Sequence, residues 1–436
     1  MRTPTPETLV ACLLTVLVAC VGGEDRGGAG MDGGLRLADS LAAAAVDNGT
    51  VPGAVLLIAR DGQVLLEKAY GSAHLLGLSP ERSGREERGE PYPNAPEVLA
   101  RPRPMTVGTA FDLASVTKVM ATTMAILLLV DRGAVALDAP VQAYLPEFRG
   151  PGKDSVTVRH LLTHSGGLAQ WQPIYYDARN AREASNAVGA MPLERGVGEG
   201  RHYSDLGFML LGYLTEREAE MPLDRFIDQE LYKPLGLDRT GYRRAGCERS
   251  DLEFPCPEGP FAATSHGNPY EYRMVHDTAF GYRFGGDPMA WESWRRYTLV
   301  GEVNDGNAFH AHGGVAGHAG LFSTARELRV LLDLLLNGGE LGGRRFFRRE
   351  TLDAFLEPTR FGHGLGWQLP AWAPEGSFSH TGFTGTFVMG VPARGVALVF
   401  LTNRQNLGVG TDTRYPELSG LQRHVAEAVL GMNPEG

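Results

Sequence analysis

Two apolar runs near the start of the chain, Gly53 to Ala59 and Gln63 to Tyr70, are separated by Asp61-Gly62. Strand-length runs around Asp-Gly predict a β-hairpin, because such a turn needs two residues that tolerate positive φ. Two further runs, Gly385 to Val391 and Val396 to Thr402, flank a Pro-Ala-Arg-Gly turn and predict a second strand pair near the other end. Residues Ala121 to Val130 are apolar almost all round, the pattern of a buried helix. An Ala-rich segment, Leu35 to Asn48, and a segment from Pro416 to Leu430 predict terminal helices. Residues 74–108, rich in Pro, Arg and Glu with little periodicity, predict a long surface excursion. Residues 131–335 read mainly as helices and loops. Strands at both ends with helices between predict an α/β (α+β) fold: one antiparallel sheet built from both termini, helices on its faces, and an inserted, mostly helical lobe. No internal repeat is found.

The first residues follow a different pattern. Arg2 precedes an apolar stretch from Leu9 to Ala19, too short for a permanent membrane span. It ends in Leu17-Val18-Ala19-Cys20, which resembles the cleavage box of bacterial lipoproteins, where the cysteine is acylated; an ordinary secretory signal is the alternative. Two or three acyl chains anchor a protein stably, at about 0.8 kcal/mol per buried CH₂. The expected organisation is a signal over residues 1–20, a Gly-rich flexible tether over 21–34, and one catalytic domain over 35–436, exported and held at a bacterial membrane. No later segment reads as a membrane span.

Composition narrows the classes. The chain has 436 residues, 43% of them hydrophobic, enough for a sizeable core. A net charge of −10 argues against a general nucleic-acid binder. Besides Cys12 and Cys20, only Cys247 and Cys256 remain, nine apart; in an exported protein they are either a small disulfide or two free thiols. No Cys/His spacing supports a metal site, and nothing implies a cofactor.

The chemistry centres on Phe111-Asp-Leu-Ala-Ser-Val-Thr-Lys118. Positions i and i+3 of a helix share a face, so Lys118 stands beside the Ser115 hydroxyl and can help remove its proton. Of the four lysines (Lys68, Lys118, Lys153 and Lys233), Lys118 alone has serine at −3. The structural alternatives are a serine capping the buried helix and a lysine reaching for solvent.

Further elements follow in order: Val158-Arg-His-Leu-Leu-Thr-His-Ser-Gly-Gly-Leu168, Tyr203-Ser-Asp205, the glycine-rich Gly313-Gly-Val-Ala-Gly-His-Ala-Gly-Leu-Phe-Ser-Thr-Ala325, and His380-Thr-Gly382. With the Ser115 motif, this series resembles the penicillin-recognising serine hydrolases, in the branch of class C β-lactamases, D-alanyl-D-alanine carboxypeptidases and related esterases. The resemblance spans about residues 35–430. It implies that Ser115 forms an acyl-enzyme, that Lys118 or Tyr203 takes its proton, and that Tyr203 protonates the leaving group. An ordinary tyrosine titrates near 10, so the nearby Lys118 charge would have to lower Tyr203 for it to act as a base. The resemblance also implies oxyanion donors at the N–H groups of Ser115 and Phe383. Asp205, His380, Thr381, Gly382 and Phe383 would line the substrate site, the His-Thr-Gly element lying on the innermost strand. His164 reads as a structural histidine, His312 and His318 as parts of the site's rim, and glycines 313, 314, 317 and 320 as turn formers. Trp171 and Tyr175 either line the cleft or pack the lobe.

Two departures from the family pattern bear on substrate. His380 stands where the β-lactamases of this branch carry lysine, so a permanent positive charge for a substrate carboxylate is replaced by a group that titrates near 6.5. Asp205 stands in place of the asparagine of Tyr-x-Asn; an ionised carboxylate cannot donate a hydrogen bond, but it can pair with Lys118. The expected function is a penicillin-binding-type D-alanyl-D-alanine carboxypeptidase acting on cell-wall peptide, with an esterase of low penicillin affinity and a catalytically silent binding protein as alternatives.

Overall fold

A computed structural model describes residues 28–78, 96–244 and 257–432. Cys20, Cys247 and Cys256 lie outside the described residues. Six antiparallel strands form the main sheet: β1 (Gly53–Arg60), β2 (Gln63–Gly77), β3 (Glu97–Pro104), β4 (Phe378–Thr381), β5 (Thr386–Val391) and β6 (Val396–Thr402). Their spatial order is β4-β5-β6-β1-β2-β3, so the two ends of the chain meet where β1 pairs with β6, Leu57 opposite Val399.

The alternation along β1 and β6 sorts their side chains into two cores. Val55, Leu57 and Ala59 join Ala397, Val399 and Leu401 on the face covered by α4 (Ala325–Leu336) and the helical lobe. Ala54, Leu56 and Ile58 join Val396, Leu398 and Phe400 on the other face, beneath α1 (Gly28–Asp47) and α5 (Ser419–Val429). Side chains alternate across a strand, so one sequence pattern fills both layers. The β1–β2 turn is the expected one: Asp61 and Gly62 both have positive φ, 49° and 77°.

Two expectations are corrected. The excursion over 74–108 contains the end of β2 and all of β3; among the described residues the two strands pair from Ser72 opposite Pro104 to Gly77 opposite Glu97. Strand β3 is an exposed edge, so it carries no alternation for the sequence to reveal. Residues 28–34, expected as tether, are the first turns of α1; a Cβ on Gly34 would stand 2.4 Å from the Ala428 carbonyl, so this glycine lets α1 lie close against α5. The lobe is mostly helical, as expected, and Phe111–Asp112, Leu321–Ser323 and Gly241–Tyr242 add a small three-stranded sheet to it.

Helix α2 (Thr123–Asp131) is continuous with a π-helical turn over Lys118–Thr122 and a 3-10 turn over Ala114–Val116. Lys118 and all of Val119 to Leu129 are buried, as the apolar run demanded. Helix α3 (Asp205–Ala219) packs across it, capped by Ser204, whose Oγ accepts from the Gly207 N–H at 3.2 Å.

Candidate active site

Ser115 is presented by a strained turn. Ala114, immediately before it, has φ 45°, a conformation that costs a residue with a Cβ about 1–2 kcal/mol. The turn is held from behind. The buried Asp112 carboxylate accepts from Ala114 N at 2.8 Å and from Asn304 N at 2.6 Å. Thr384 Oγ1 donates to the Asp112 carbonyl at 2.7 Å, and Thr386 Oγ1 to the Leu113 carbonyl at 3.0 Å. The nucleophile turn is thus tied at once to the lobe and to the β4–β5 turn.

Ser115 Oγ accepts from Lys118 Nζ at 3.0 Å and from Tyr203 OH at 2.7 Å. Lys118 Nζ also pairs with Asp205 Oδ1 at 2.7 Å and donates to the His318 carbonyl at 3.0 Å. The lysine is fully buried. Burial alone would push it toward the neutral amine, but the adjoining Asp205 and Tyr203 outweigh burial and hold its proton above the ordinary lysine range. Burial likewise raises Tyr203, and the Lys118 charge does not offset it. The resting pair is therefore an ammonium and a phenol, and the phenolate considered from sequence is not the resting state. Asp205 acts as the partner of Lys118 rather than as a helix cap, a task Ser204 performs.

His380 and Thr381 end β4, which is the end strand of the sheet rather than the innermost strand expected, and the edge that abuts the nucleophile turn. Gly382 allows that approach: a Cβ there would stand 2.1 Å from Thr386 Oγ1 and 2.4 Å from the Leu113 carbonyl. His380 Nδ1 donates to the Thr381 carbonyl at 2.8 Å. Burial, then the Lys118 charge, push His380 down to about 3, so it is neutral at neutral pH rather than partly charged. The Phe383 carbonyl accepts from Arg404 Nε at 3.0 Å and Nη2 at 2.8 Å, while the Phe383 N–H has no acceptor among the described residues.

His164 is structural, as expected. It is buried, its Nδ1 accepts from Ser204 N at 3.0 Å, and its ring lies 4.5 Å from that of Tyr203. His312 and His318 do not form a rim. His312 is buried between the Tyr213 hydroxyl and the Asn307 carbonyl, and His318 is 1% exposed with Nε2 on Asp305 Oδ1 at 2.9 Å. The glycine-rich segment that carries His318 presses on α3: a Cβ on Gly317 would stand 2.0 Å from the Phe208 carbonyl. Tyr175 packs the lobe against Trp291 and Trp294, and Trp171 is buried against Tyr282. Asp112, Thr384, Thr386, Asp305 and Arg201 went unrecognised in the sequence. The Asp112 signal was an acid inside an apolar run, which demands buried partners.

The β-lactamase family model matches residues 38–420. An N-acetylmuramyl-L-alanine amidase of Bacillus subtilis (strain 168) is 33% identical over 383 residues, covering 82% of this chain and 78% of the relative. A protein of Escherichia coli (strain K12) named "Putative D-alanyl-D-alanine carboxypeptidase" is 29% identical over 393 residues, covering 84% and 82%. Among solved structures, EstCE1, a hydrolase with promiscuous acyltransferase activity, superposes with a TM-score of 0.63 at 21% identity, over 92% of this chain and 100% of the other. A penicillin-binding protein homologue from Caulobacter crescentus gives 0.62 at 21% identity, over 91% and 97%. Together with a serine, lysine and tyrosine converged in a buried site, these likenesses place the chain in the β-lactamase family, among its serine hydrolases.

Proposed function

We propose that this protein hydrolyses an amide bond of peptidoglycan peptides through an acyl-enzyme on Ser115, the scissile bond joining an N-acetylmuramyl lactyl group to L-alanine. The observation that carries an acyl-enzyme is the contact of Ser115 Oγ with both Lys118 Nζ and Tyr203 OH. In the reactive form Lys118 has first lost its resting proton to solvent; Oγ then attacks the lactyl carbonyl, its proton passes to that neutral amine, and an Oγ–C ester forms. The C–N bond breaks as Tyr203 protonates the departing amine, Lys118 replenishing the phenol. Water then hydrolyses the ester, releasing the muramic carboxylate and restoring Ser115. The Ser115 and Phe383 N–H groups receive the oxyanion; losing one such donor typically costs about 2.7–4 kcal/mol.

The muramyl amide is preferred because its scissile end carries no carboxylate. His380 is neutral and Asp205 is engaged with Lys118, so neither offers a permanent cation to a C-terminal D-alanine. The amidase relative of B. subtilis supports the same bond. A D-alanyl-D-alanine carboxypeptidase is the second reading, favoured by one observation. Arg201, half-buried two residues before Tyr203, lies close enough to act on His380 and His363 and supplies positive charge that His380 lacks. For cellular location we infer an exported enzyme, anchored by lipid at Cys20; labelled palmitate incorporated in wild type and lost in Cys20→Ser is the expected result.

The test compares turnover of N-acetylmuramyl-L-alanyl-D-isoglutamine, diacetyl-lysyl-D-alanyl-D-alanine and a short acyl ester, with Ser115→Ala as control. Release of free peptide amine from the muramyl substrate, absent in Ser115→Ala, supports the first reading. Release of D-alanine instead, lost in Arg201→Ala, moves the assignment to the second. Ester turnover alone leaves an esterase, and wild-type rates in Ser115→Ala refute the acyl-enzyme.

A further inference from the structure

The histidine of the glycine-rich segment has a place in the sequence motifs but none in the mechanism above. Its geometry gives it one. Three oxygens stand within 3.0 Å of Lys118 Nζ, Ser115 Oγ, Asp205 Oδ1 and the His318 carbonyl, while the Tyr203 hydroxyl beside them donates its own proton to Ser115 Oγ. An ammonium has three N–H donors, one for each. A neutral amine has two, and its third position is a lone pair. The His318 carbonyl can only accept and holds one hydrogen in a hydrogen bond, while the Asp205 carboxylate, an ion-pair contact without hydrogen-bond geometry, draws the other by its charge. The lone pair is left for Ser115 Oγ, which is where a general base needs it.

The orientation of the base thus depends on the His318 carbonyl, and the carbonyl is held from its own side chain. The imidazole is fully enclosed, and Nε2 donates to Asp305 Oδ1 at 2.9 Å. The same Oδ1 accepts from Ala308 N at 2.7 Å, which seats Asp305 on the π-helical turn Asn307–Ala311. Beside His318, the Gly317 carbonyl accepts from Thr122 Oγ1 at 2.6 Å, so the strip is tied to the turn that bears Lys118. Glu271 packs behind this unit and accepts from Gly306 N at 2.8 Å.

We infer that Asp305 and His318 are positioning residues for acylation: through the His318 carbonyl they turn the lone pair of Lys118 toward Ser115. The inference rests on the reading of Ser115 as nucleophile and Lys118 as its base. It needs no particular substrate, so a fluorophosphonate that labels the active serine is the probe.

The experiment follows the labelling rate of the full chain by intact mass, with thermal unfolding alongside. Asp305→Ala frees the imidazole and is expected to slow labelling about tenfold or more, since small misplacements of a catalytic group are costly. Asp305→Asn keeps an acceptor for Nε2 and is expected to stay within about threefold of wild type. His318→Gln, with an amide N–H in place of Nε2–H, is expected to label faster than His318→Ala. A purely structural role predicts instead that rate losses track the fall in unfolding midpoint, with Asn no better than Ala at equal midpoint. That result, or wild-type labelling in Asp305→Ala, overturns the inference. If the alanine variants fail to fold, a loss in Asp305→Asn as large as that in Ser115→Ala also overturns it. Labelling that persists in Ser115→Ala refutes the nucleophile assignment instead.

Discussion

The six-stranded sheet and the polar seam behind Ser115 are held together by opposite means. Between its two cores the sheet is ordered by alternation: each residue of β1 and β6 faces one apolar layer or the other, and neighbours along the strand differ in which. The seam is ordered by individual polar groups taken from distant parts of the chain. Asp112 meets Asn304, Thr384 meets Asp112, and Lys118 meets Asp205 and His318. Apolar burial is non-directional and forgiving, whereas a buried polar group that loses its partner pays its full desolvation. A change in the sheet should therefore alter stability and spare turnover, and a change in the seam should cost turnover well beyond its effect on stability.

Lys118→Met tests this most severely. It keeps the length of the side chain and removes both the base and the partner of Asp205. A loss of about a thousandfold or more in kcat/KM is expected, the scale seen when a nucleophile's activating partner is removed. Activity within about tenfold of wild type would mean that Lys118 is not the base. Gly382→Ala comes next. Its Cβ meets Thr386 Oγ1 and the Leu113 carbonyl, the two groups that join β4 to the nucleophile turn. Displacing that edge by a fraction of an ångström should reduce kcat/KM about a hundredfold, more than the accompanying fall in stability would suggest. An unchanged kcat/KM would show that the edge does not position the reacting atoms.

The same contrast explains what the sequence revealed. The hairpin at Asp61-Gly62 and the strand Val396–Thr402 were legible because a strand covered on both faces must be apolar almost throughout, giving short unbroken runs bounded by turn residues. The i, i+3 relation of Ser115 and Lys118 was legible because one helical turn brings them together. The Asp205–Lys118 pair was open to inference because a carboxylate where an amide is usual needs a partner. Strand β3 was invisible because an exposed edge has no inner face, and Gly34 looked like a tether because glycine marks close helix packing as well as freedom. His312 and His318 were misplaced at a rim because glycines on either side read as loop. Which of those glycines faces α3 depends on tertiary packing, not on local pattern.

The counterpart in the sheet is Leu398→Ala. Leu398 is 1% exposed between β6 and the terminal helices. Truncation should cost about 2–5 kcal/mol of stability. It should leave kcat/KM unchanged once the folded fraction is accounted for. A large loss of turnover at full folding would break the contrast, because it would show that the sheet's far layer is coupled to the site.

The smallest expected effect is the dependence of stability on pH, and it should come from the lobe and the active-site edge rather than from the apolar layers. Burial pushes His266, His310 and His312 down to about 4 and His380 to about 3. An unfolded chain protonates these groups near 6.5. Between there and about 4, the unfolded state therefore binds protons that the fold refuses, and stability falls as the pH falls. Two buried acids act in the opposite sense. Burial raises Asp112 to about 6, and burial with the Asp305 charge raises Glu271 to about 8. Both hold protons in the fold that the unfolded chain releases, so their contribution is lost as the pH rises through those values. His74, His160, His164 and His363 are also pushed down, chiefly by burial, and Glu216, Asp228, Glu327 and Asp333 are raised by it, so eight histidines against six acids leave a net fall toward acid. Above about 6.5 Glu271 still titrates, giving a shallow decline toward alkali. Unfolding midpoints measured from pH 4 to pH 9 should pass through a maximum near 6 to 7, dropping by several degrees on the acid side. Glu271→Gln should flatten the alkaline side and leave the acid side in place. A midpoint that does not vary with pH, or a Gln variant that alters only the acid side, would mean that the seam's buried charges are compensated by groups elsewhere, and the division between apolar sheet and polar seam would not extend to stability.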